Sequence, residues 1–356
     1  MKILHVITSL RTGGAEKLMV DLLPRLKAKE FDVDLLLFDG TDTPFRRDVE
    51  AKGIKVYDLG IGGSVYSPLR LLKLIPYLRK YDVVHTHNTA PQLFAAIGSA
   101  ISKVMLFTTE HNTSNRRRSW KWYVPIDRWM YNRYNKVICI SQKAEENLRE
   151  FIGTSKADIC TVNNGVDVGH YASAFPSAEL EIIAPGSRKI IMVAGFRWEK
   201  DQETLIKSLK VLPPKFHLYL VGDGVRRSEL ESIVREENLA ERVHFMGLRT
   251  DVPQLLHAAD YIVMSSHFEG LSLSSVEGMS VGKPFLASDV DGLHEVVKDA
   301  GILFPHGDSK SLANEIMALE NAPERYRSVA NACRQRADQF DISKMVEGYA
   351  NIYNSL

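Results

Sequence analysis

Short apolar runs alternate with amphipathic stretches along nearly the whole chain. The first run, Lys2–Ile7, leads through a turn with two glycines into a stretch whose leucines recur at helical spacing. Comparable runs predict buried strands at 32–38, 55–59, 82–88, 105–109, 136–141, 189–194, 217–221, 243–246, 261–264, 284–287, 295–297 and 301–304. Strands that alternate with helices pair in parallel, so the pattern predicts an α/β fold with doubly wound, Rossmann-like sheets.

A polar stretch at 168–188, which contains Pro176, Pro185 and Gly186, interrupts this alternation and is the predicted linker. At 356 residues the chain is long enough for two ordinary α/β domains. We therefore predict one domain at 1–165 and a second at 169–339. The predicted helices include a basic amphipathic helix at 68–80, broken near Pro76, and a last helix at 342–353 within the segment 340–356.

The formal net charge is +1, but the charges are unevenly distributed. Residues 1–165 contain 25 Lys and Arg against 17 Asp and Glu, a surplus of +8, whereas residues 166–356 contain 20 and 27, a net charge of −7. The basic half suggests an anionic partner. Three cysteines in apolar surroundings favour a reducing compartment. Neither a signal peptide nor an apolar stretch of transmembrane length is visible, so we expect a cytoplasmic protein.

The most informative stretch is 267–277, which follows the predicted strand 261–264. Its turn contains Glu269 and Gly270, and the helix that follows contains a second carboxylate, Glu277. Such a helix start presents free backbone N–H groups and the positive end of the helix dipole, which suits a phosphate. The two carboxylates are far enough apart to hold different parts of one ligand, such as a nucleotide sugar. By themselves, two carboxylates at this spacing also fit a solvated turn.

Together with Gly282-Lys283-Pro284 and Asp289, this stretch resembles the signature of family 4 retaining glycosyltransferases, which have the GT-B fold. The resemblance implies two Rossmann-like domains facing across a cleft, with the C-terminal helix crossing back to the first domain. It also implies a UDP- or GDP-sugar donor on the second domain, an acceptor at the first domain and no cofactor. The predicted catalytic residues are His111 and Glu269, and the predicted donor-binding residues are Gly13, Gly14, Arg197, Lys200, Gly247, Leu273, Ser274 and Glu277.

Two other loops contribute to this prediction. Gly13 and Gly14 follow the first strand and let the backbone approach a ligand where a Cβ would clash, although a plain tight turn has the same sequence. Arg197 and Lys200 lie between a strand and a helix, where cations can hold a diphosphate, although solvated loop cations are the alternative. Many family members have the arginine where Gly195 stands here, so Arg197 is displaced by two positions.

Two histidines follow predicted strands, His87 at the end of one and His111 directly after the next. Ligands of doubly wound sheets gather beyond the carboxyl ends of the strands. The resemblance assigns His111 to the donor sugar. His87 is predicted on the acceptor side, with a purely structural histidine as the alternative.

The stretch 114–136 interleaves basic residues, among them Arg116–Arg118, with three of the four tryptophans. This composition suits a membrane interface with anionic head groups, although an ordinary helix packed on the first domain explains some of it. A nucleic-acid partner is not expected, because no recognised motif is present. We predict a glycan or lipid-linked saccharide acceptor for a bacterial surface glycan, and peripheral contact with the inner face of the cytoplasmic membrane.

Sugar transfer needs cations and N–H groups that stabilise the leaving diphosphate. Some sugar transferases use a metal on an Asp-x-Asp motif, and two such triplets occur, Asp32-Val33-Asp34 and Asp289-Val290-Asp291. The first opens a predicted strand and the second lies in a turn, so both are interpreted as structural and transfer is predicted to be metal-independent. The resemblance implies retention of anomeric configuration, with Glu269 and His111 holding the sugar.

Other functions fit parts of this pattern. A non-hydrolysing sugar-nucleotide 2-epimerase has the same fold but transfers no product, and a non-catalytic nucleotide-sugar-binding protein would never turn over. The combination of the Gly-Gly-Ala-Glu loop with the Glu269 and Glu277 turn favours transfer. A nicotinamide oxidoreductase is disfavoured because the Gly-x-Gly-x-x-Gly fingerprint is missing.

Overall fold

The computed structural model describes residues 1–11, 13–111, 120, 122–153 and 155–356. The chain divides into two compact units. Unit 1 comprises Met1–Asn164 and Met345–Leu356, and unit 2 comprises Gly165–Lys344. Unit 2 thus begins at Gly165, a few residues before the start expected at 169. Among the described residues, every helix is too short or too polar to span a lipid bilayer.

Unit 1 is built on a seven-stranded parallel sheet with the strand order β3-β2-β1-β4-β5-β6-β7. Its strands are β1 (Lys2–Ile7), β2 (Asp32–Leu37), β3 (Lys55–Asp58), β4 (Val83–His87), β5 (Met105–Glu110), β6 (Lys136–Cys139) and β7 (Asp158–Thr161). Its helices are α1 (Gly14–Ala28), α2 (Pro44–Ala51), α3 (Pro68–Leu78), α4 (Thr89–Gly98), α5 (Val124–Tyr131) and α6 (Gln142–Ile152). The central strands are almost completely buried, as expected where helices cover both faces of a parallel sheet.

Unit 2 repeats this architecture with a six-stranded parallel sheet, β10-β9-β8-β11-β12-β13. Its strands are β8 (Arg188–Val193), β9 (Phe216–Val221), β10 (Val243–Gly247), β11 (Tyr261–Met264), β12 (Phe285–Ser288) and β13 (Ile302–Phe304). Its helices are α7 (Val168–Ala172), α8 (Glu179–Ile183), α9 (Gln202–Ser208), α10 (Arg227–Glu236), α11 (Val252–Ala258), α12 (Leu273–Ser280), α13 (Leu293–Val297), α14 (Ser309–Glu320) and α15 (Pro323–Ala337). Both sheets have the strand order of doubly wound folds, so the predicted fold class is confirmed.

The last helix, α16 (Ile342–Asn354), begins in unit 2 and belongs to unit 1 from Met345 onward. Its apolar stripe buries Met345, Val346, Tyr349 and Tyr353 in unit 1. Gly348 allows close packing, because a Cβ there would lie 2.9 Å from a methyl group of Val162. Tyrosines on this stripe bring hydroxyl groups into the interior of unit 1.

Four local predictions differ from the structure. Residues 295–297 form part of α13 instead of a strand, because a short apolar run fits either element and Gly292, with φ of +80°, starts a helix there. Helix α3 continues through Pro76 to Leu78 without a break. The predicted irregular linker contains the short helices α7 and α8. The edge strand β7 was not predicted.

Candidate functional site

In unit 2, the loop after β8 is fixed by two glycines in the turn that follows β9. A Cβ on Gly222 would lie 2.1 Å from the carbonyl oxygen of Ala194, and one on Gly224 would lie 2.4 Å from that of Phe196. Only glycine allows this close approach. The loop ends at Asp201, which has φ of +43° and caps α9 by accepting a hydrogen bond from the Thr204 N–H.

This loop places Lys200 against the turn after β11. The Lys200 ammonium donates to Oε1 of Glu269, and the Ser266 hydroxyl donates to the same oxygen over 2.8 Å. The backbone of the two loops is also joined, since the His267 N–H donates to the Glu199 carbonyl over 2.8 Å. The side chains of Lys200 and Glu269 are 25% and 11% exposed, so the ion pair lies at the surface without being fully solvated. The structure therefore brings these two predicted residues together.

The turn from Glu269 to Gly270 leads into α12. A Cβ on Gly292 would lie 1.9 Å from the Gly270 carbonyl oxygen, so Gly292 packs directly against this turn. Helix α12 begins at Leu273, which places the N–H groups of Leu273 and Ser274 in its first turn, where no intrahelical acceptor exists. Glu277 lies one turn further along and is half-buried. The helix start and the Lys200–Glu269 pair thus offer N–H donors, a cation and two carboxylates on neighbouring elements.

Two predicted residues are less tightly built into this arrangement. Arg197 is exposed and precedes the short helical turn that contains Lys200. Gly247 ends β10 with φ of +66°, and, apart from its chain neighbours, no residue in the described part of the chain has an atom within 4 Å of the position of its absent Cβ. Its carbonyl accepts from the Gly222 N–H over 2.8 Å. The described residues thus leave space beside Gly247, which its predicted role in donor binding requires.

In unit 1, Gly13 is the N-cap of α1, and Gly14 is its first residue. A Cβ on Gly13 would lie 2.2 Å from the Glu16 carboxylate, which folds back over the helix start. Burial raises the pKa of Glu16, while a backbone hydrogen bond opposes that rise. Apart from its chain neighbours, no described residue has an atom within 4 Å of a Cβ built on Gly14.

His111 is the end of a buried row of histidines in unit 1. Its Nε2 lies 2.9 Å from Nδ1 of His87, and Nε2 of His87 lies 3.0 Å from Nδ1 of His5. Nε2 of His5 lies 3.2 Å from the Tyr353 hydroxyl. Burial lowers the pKa of His111 to about 4 and that of His5 to about 3. Burial, with the neighbouring imidazoles, also holds the pKa of His87 well below 6.5. The row is therefore neutral at pH 7.

The position of His87 differs from the expectation that it contacts an acceptor. Its side chain is fully buried, and both ring nitrogens are bonded to other histidines. Because His87 is bonded to His5 on one side and to His111 on the other, the structure does not support a direct contact between His87 and an acceptor. Sequence reasoning missed His5, Ser266 and Tyr353. Polar residues in otherwise apolar strand and helix faces were the available signal for His5 and Tyr353.

Two groups of described residues bring three potential metal ligands within 4.8 Å of one another. In the first, the ring nitrogens already have partners, because His5 and His87 bond to each other and His85 bonds to Tyr353 and Thr109. The second consists of Asp201, His267 and His306, in which the Asp201 carboxylate already bonds to Thr204 and the two imidazoles bond to each other at 2.7 Å.

The two aspartates of each Asp-x-Asp triplet lie in different surroundings. The Asp34 carboxylate accepts from the Tyr81 hydroxyl, and Asp32 is exposed at the start of β2. Asp289 lies 2.6 Å from Nδ1 of His294, and Asp291 is exposed. Each triplet therefore has separate local roles for its two aspartates.

Comparison with protein families assigns both halves of the chain. The glycosyl transferases group 1 model matches residues 178–336, and the glycosyltransferase family 4 model matches residues 12–170. The chain belongs to the group 1 and family 4 glycosyltransferases. The recognition made from the turn at 267–277 is thereby confirmed.

Relatives of this glycosyltransferase match it over nearly its whole length. The Escherichia coli UDP-Gal:alpha-D-GlcNAc-diphosphoundecaprenol alpha-1,3-galactosyltransferase is 24% identical over 99% of this chain and 96% of its own. The lipopolysaccharide core biosynthesis glycosyltransferase LpsD of Rhizobium meliloti is 26% identical over 99% of this chain and 98% of its own. The crystal structure of Anabaena Alr3699/HepE in complex with UDP matches with a TM-score of 0.89 at 26% identity, covering all of both chains. These matches establish the GT-B fold of this glycosyltransferase.

Proposed function

We propose that this glycosyltransferase transfers a hexose from a UDP-sugar to a lipid-linked saccharide, with retention of anomeric configuration. The observation that carries the proposal is the Lys200–Glu269 ion pair beside the start of α12, which combines a cation, a carboxylate and helix N–H groups. UDP is favoured over GDP because HepE was crystallised with UDP and with UDP-glucose, and the E. coli relative is named for UDP-Gal.

The residues of unit 2 divide into three roles in this proposal. Lys200 and Arg197 bind the diphosphate, together with the N–H groups of Leu273 and Ser274. Glu277 accepts hydrogen bonds from the ribose hydroxyls, and Glu269 holds hydroxyls of the sugar. Gly247 borders the base. In unit 1, His111 binds the sugar, and the start of α1 at Gly13 and Gly14 offers N–H groups to the donor.

The transfer step breaks the bond between the anomeric carbon and the diphosphate oxygen, while the acceptor oxygen forms a bond to the same face of that carbon. Positive charge grows on the ring as negative charge grows on the leaving diphosphate, which Lys200, Arg197 and the helix N–H groups stabilise. The acceptor hydroxyl gives its proton to an oxygen of the leaving diphosphate. This step uses no protein nucleophile.

A donor screen tests the function directly. UDP-, GDP- and ADP-sugars are incubated with the enzyme, and slow donor hydrolysis and thermal stabilisation are measured. We expect stabilisation by UDP and slow release of the sugar from one UDP-hexose. Conversion of the donor into its 2-epimer would identify an epimerase instead, and stabilisation without any turnover, even with lipid-linked acceptors, would identify a binding protein.

Glu277→Ala is expected to weaken UDP binding by about 1.5–3 kcal/mol, because a charged acceptor for two hydroxyls is lost. Isothermal titration with UDP measures the change, and titration with pyrophosphate provides a comparison that lacks the ribose. The variant should bind pyrophosphate as the wild type does. Equal UDP affinity in both proteins would remove the assignment of Glu277 to the ribose.

Transfer is expected to continue at an unchanged rate after treatment with EDTA, because the proposed leaving-group stabilisation uses cationic side chains and N–H groups. The rate of donor hydrolysis before and after chelation provides the measurement. Loss of activity that Mg²⁺ or Mn²⁺ restores would contradict this. In that case His306→Gln and Asp289→Asn would tell which group of ligands binds the ion.

The acceptor proposal gains support from an exposed surface of unit 1. Helix α4 packs against both α3 and α5, so these helices lie side by side. We define the basic–apolar face as the exposed apolar residues of these helices and their flanking segments, Leu69, Leu72, Ile97, Ile101, Trp122 and Trp129, with the exposed cations Lys73, Arg79, Lys80, Lys103, Arg128 and Arg133 of the same segments. A combination of exposed apolar side chains and cations fits a bilayer surface with anionic head groups. The run Arg116–Arg118, on which the membrane contact was predicted, lies outside the described residues.

Removing two leucines from this face should release the enzyme from membranes. Wild-type protein is expected to sediment with anionic vesicles at low salt. The affinity of Leu69→Gln/Leu72→Gln for these vesicles should fall at least about tenfold, because two partly exposed leucines no longer insert. The control, Ile182→Gln/Val225→Gln, removes two even more exposed apolar side chains from unit 2 and should sediment as the wild type does. Equal sedimentation of all three proteins would favour a diffusible acceptor.

A further inference from the structure

A continuous row of hydrogen bonds connects His111 to the C-terminal helix. From Tyr353 on α16 it passes through His5 on β1 and His87 on β4 to His111 after β5. Tyr353, His5 and His87 are fully buried, so water does not compete for these bonds. The strand register explains the row, because His5 pairs with His85 across β1 and β4, and His87 follows two residues later on the same face.

Neutral imidazole has one N–H donor and one acceptor nitrogen, so each ring in such a row fixes the tautomer of the next. If Tyr353 accepts from Nε2 of His5, then His87 donates to His5, and His111 donates to His87. Reversing the first bond reverses all the others. Burial keeps the proton on Tyr353, because it raises the pKa of its hydroxyl well above 10. The row therefore has two polarities, and they differ in which nitrogen of His111 carries the hydrogen.

The contacts of the Tyr353 hydroxyl favour one polarity. The hydroxyl lies 2.6 Å from Nδ1 of His85 but 3.2 Å from Nε2 of His5. The short contact suits an O–H donor to His85, and the longer one suits an N–H of His5 that donates to the tyrosine oxygen. His85 then has its hydrogen on Nε2, which lies 2.8 Å from the Thr109 hydroxyl. All contacts are satisfied with the hydrogen of His111 on Nε2.

We propose that Tyr353 is a positioning residue that, through His5 and His87, holds His111 as the Nε2–H tautomer and so presents Nδ1 as a hydrogen-bond acceptor for a sugar hydroxyl. Only the sugar contact in this inference depends on the proposed function. The tautomer itself is a property of the free protein. A residue on the last helix thus controls the chemical character of a sugar-binding group without touching the sugar.

The test uses Tyr353→Phe, with Tyr349→Phe as the matched control. Both tyrosines are fully buried on α16, but the Tyr349 hydroxyl contacts the Thr109 hydroxyl at 3.1 Å, on a side branch that joins the row only through His85 and Tyr353. In Tyr353→Phe, Nε2 of His5 faces a ring without an acceptor, so His5 moves its hydrogen to Nδ1. The row then reverses, and His111 becomes the Nδ1–H tautomer.

Nitrogen-15 NMR of histidine-labelled protein reads the tautomers, with His111→Gln used to assign the His111 signals. The wild type and Tyr349→Phe should show His111 protonated on Nε2, and Tyr353→Phe should show it protonated on Nδ1. Hydrolysis of the donor should fall about tenfold or more in Tyr353→Phe, as expected when one aligned hydrogen bond to the reacting sugar is lost, and within twofold in Tyr349→Phe.

The same tautomer of His111 in the wild type and Tyr353→Phe would overturn the proposal, and so would an Nδ1–H tautomer in the wild type. If Tyr353→Phe does not fold, His5→Leu removes the acceptor of the His87 Nε2–H one step nearer to His111 and should likewise change the tautomer of His111. Because the NMR reading needs no substrate, a failure of the proposed transfer would appear in the donor screen and leave this result unaffected.

Discussion

Replacing Lys200 by methionine is expected to lower the rate of sugar transfer by about 10²–10³, the loss typical of removing one group that stabilises a developing negative charge. Lys200 is placed beside the helix start that we assign to the diphosphate, and it is held there by its ion pair with Glu269. Methionine keeps the length of the side chain but removes its charge. Single-turnover kinetics with saturating donor measure the chemical step.

The matched control is Lys207→Met. Lys207 pairs with Glu203 one turn away on α9, the helix that Asp201 caps, and its side chain is 43% exposed. Loss of the Lys207 charge should leave the rate of sugar transfer unchanged. A rate in Lys200→Met within threefold of the wild type would mean that Lys200 only neutralises Glu269.

A double variant separates these two roles. In Lys200→Met/Glu269→Gln the carboxylate charge is removed together with its partner, so the free energy of unfolding lost in Lys200→Met, about 1–3 kcal/mol, should be partly recovered. The transfer rate should not recover, because the diphosphate still lacks its cation. Recovery of both quantities would assign the lysine a purely structural role.

For a physical reason, the sequence was sufficient for the fold and for placing Lys200 and Glu269 in loops at one edge of the same sheet, although their ion pair was not predicted. Parallel strands buried on both faces are continuous apolar runs, and the loops at their carboxyl ends meet at one edge of the sheet. Lys200 follows β8 and Glu269 follows β11, and these strands are neighbours. Motif residues in the two loops therefore come together without any knowledge of side-chain packing.

Other features depend on contacts that a linear pattern does not contain. The apolar run at 295–297 is too short for its period to distinguish helix from strand, and its helix follows from Gly292 packing under Gly270. Pro76 is tolerated near the end of α3 because the carbonyl it leaves unpaired belongs to the exposed Leu72. The histidine row requires the register of β1 against β4 and the docking of α16, neither of which periodicity predicts.

Unit 1 is expected to lose about 6 kcal/mol of stability between pH 7 and pH 5, at about 2 kcal/mol for each of its three fully buried histidines, His5, His85 and His87. Burial holds the pKa of each of them far below 6.5, to about 3 for His5. In the unfolded chain these histidines take up protons as the pH falls through 6.5, whereas in the folded unit they stay neutral. The unfolded state therefore binds more protons, and stability is lost as the pH falls.

This loss is a large part of the 5–15 kcal/mol that stabilises a typical domain, so unit 1 should unfold in mild acid. Urea unfolding at pH 7, 6 and 5 measures it. Trp120, Trp122 and Trp129 belong to unit 1 and Trp198 to unit 2, so tryptophan fluorescence of Trp198→Phe reports on unit 1 alone. His85→Asn should reduce the slope by about 1.4 kcal/mol per pH unit, and His170→Gln, at an exposed position, should not change it. A free energy of unfolding that is equal at pH 7 and pH 5 would mean that the row carries protons in the folded state, and the neutral, tautomer-fixed arrangement behind His111 would then be wrong.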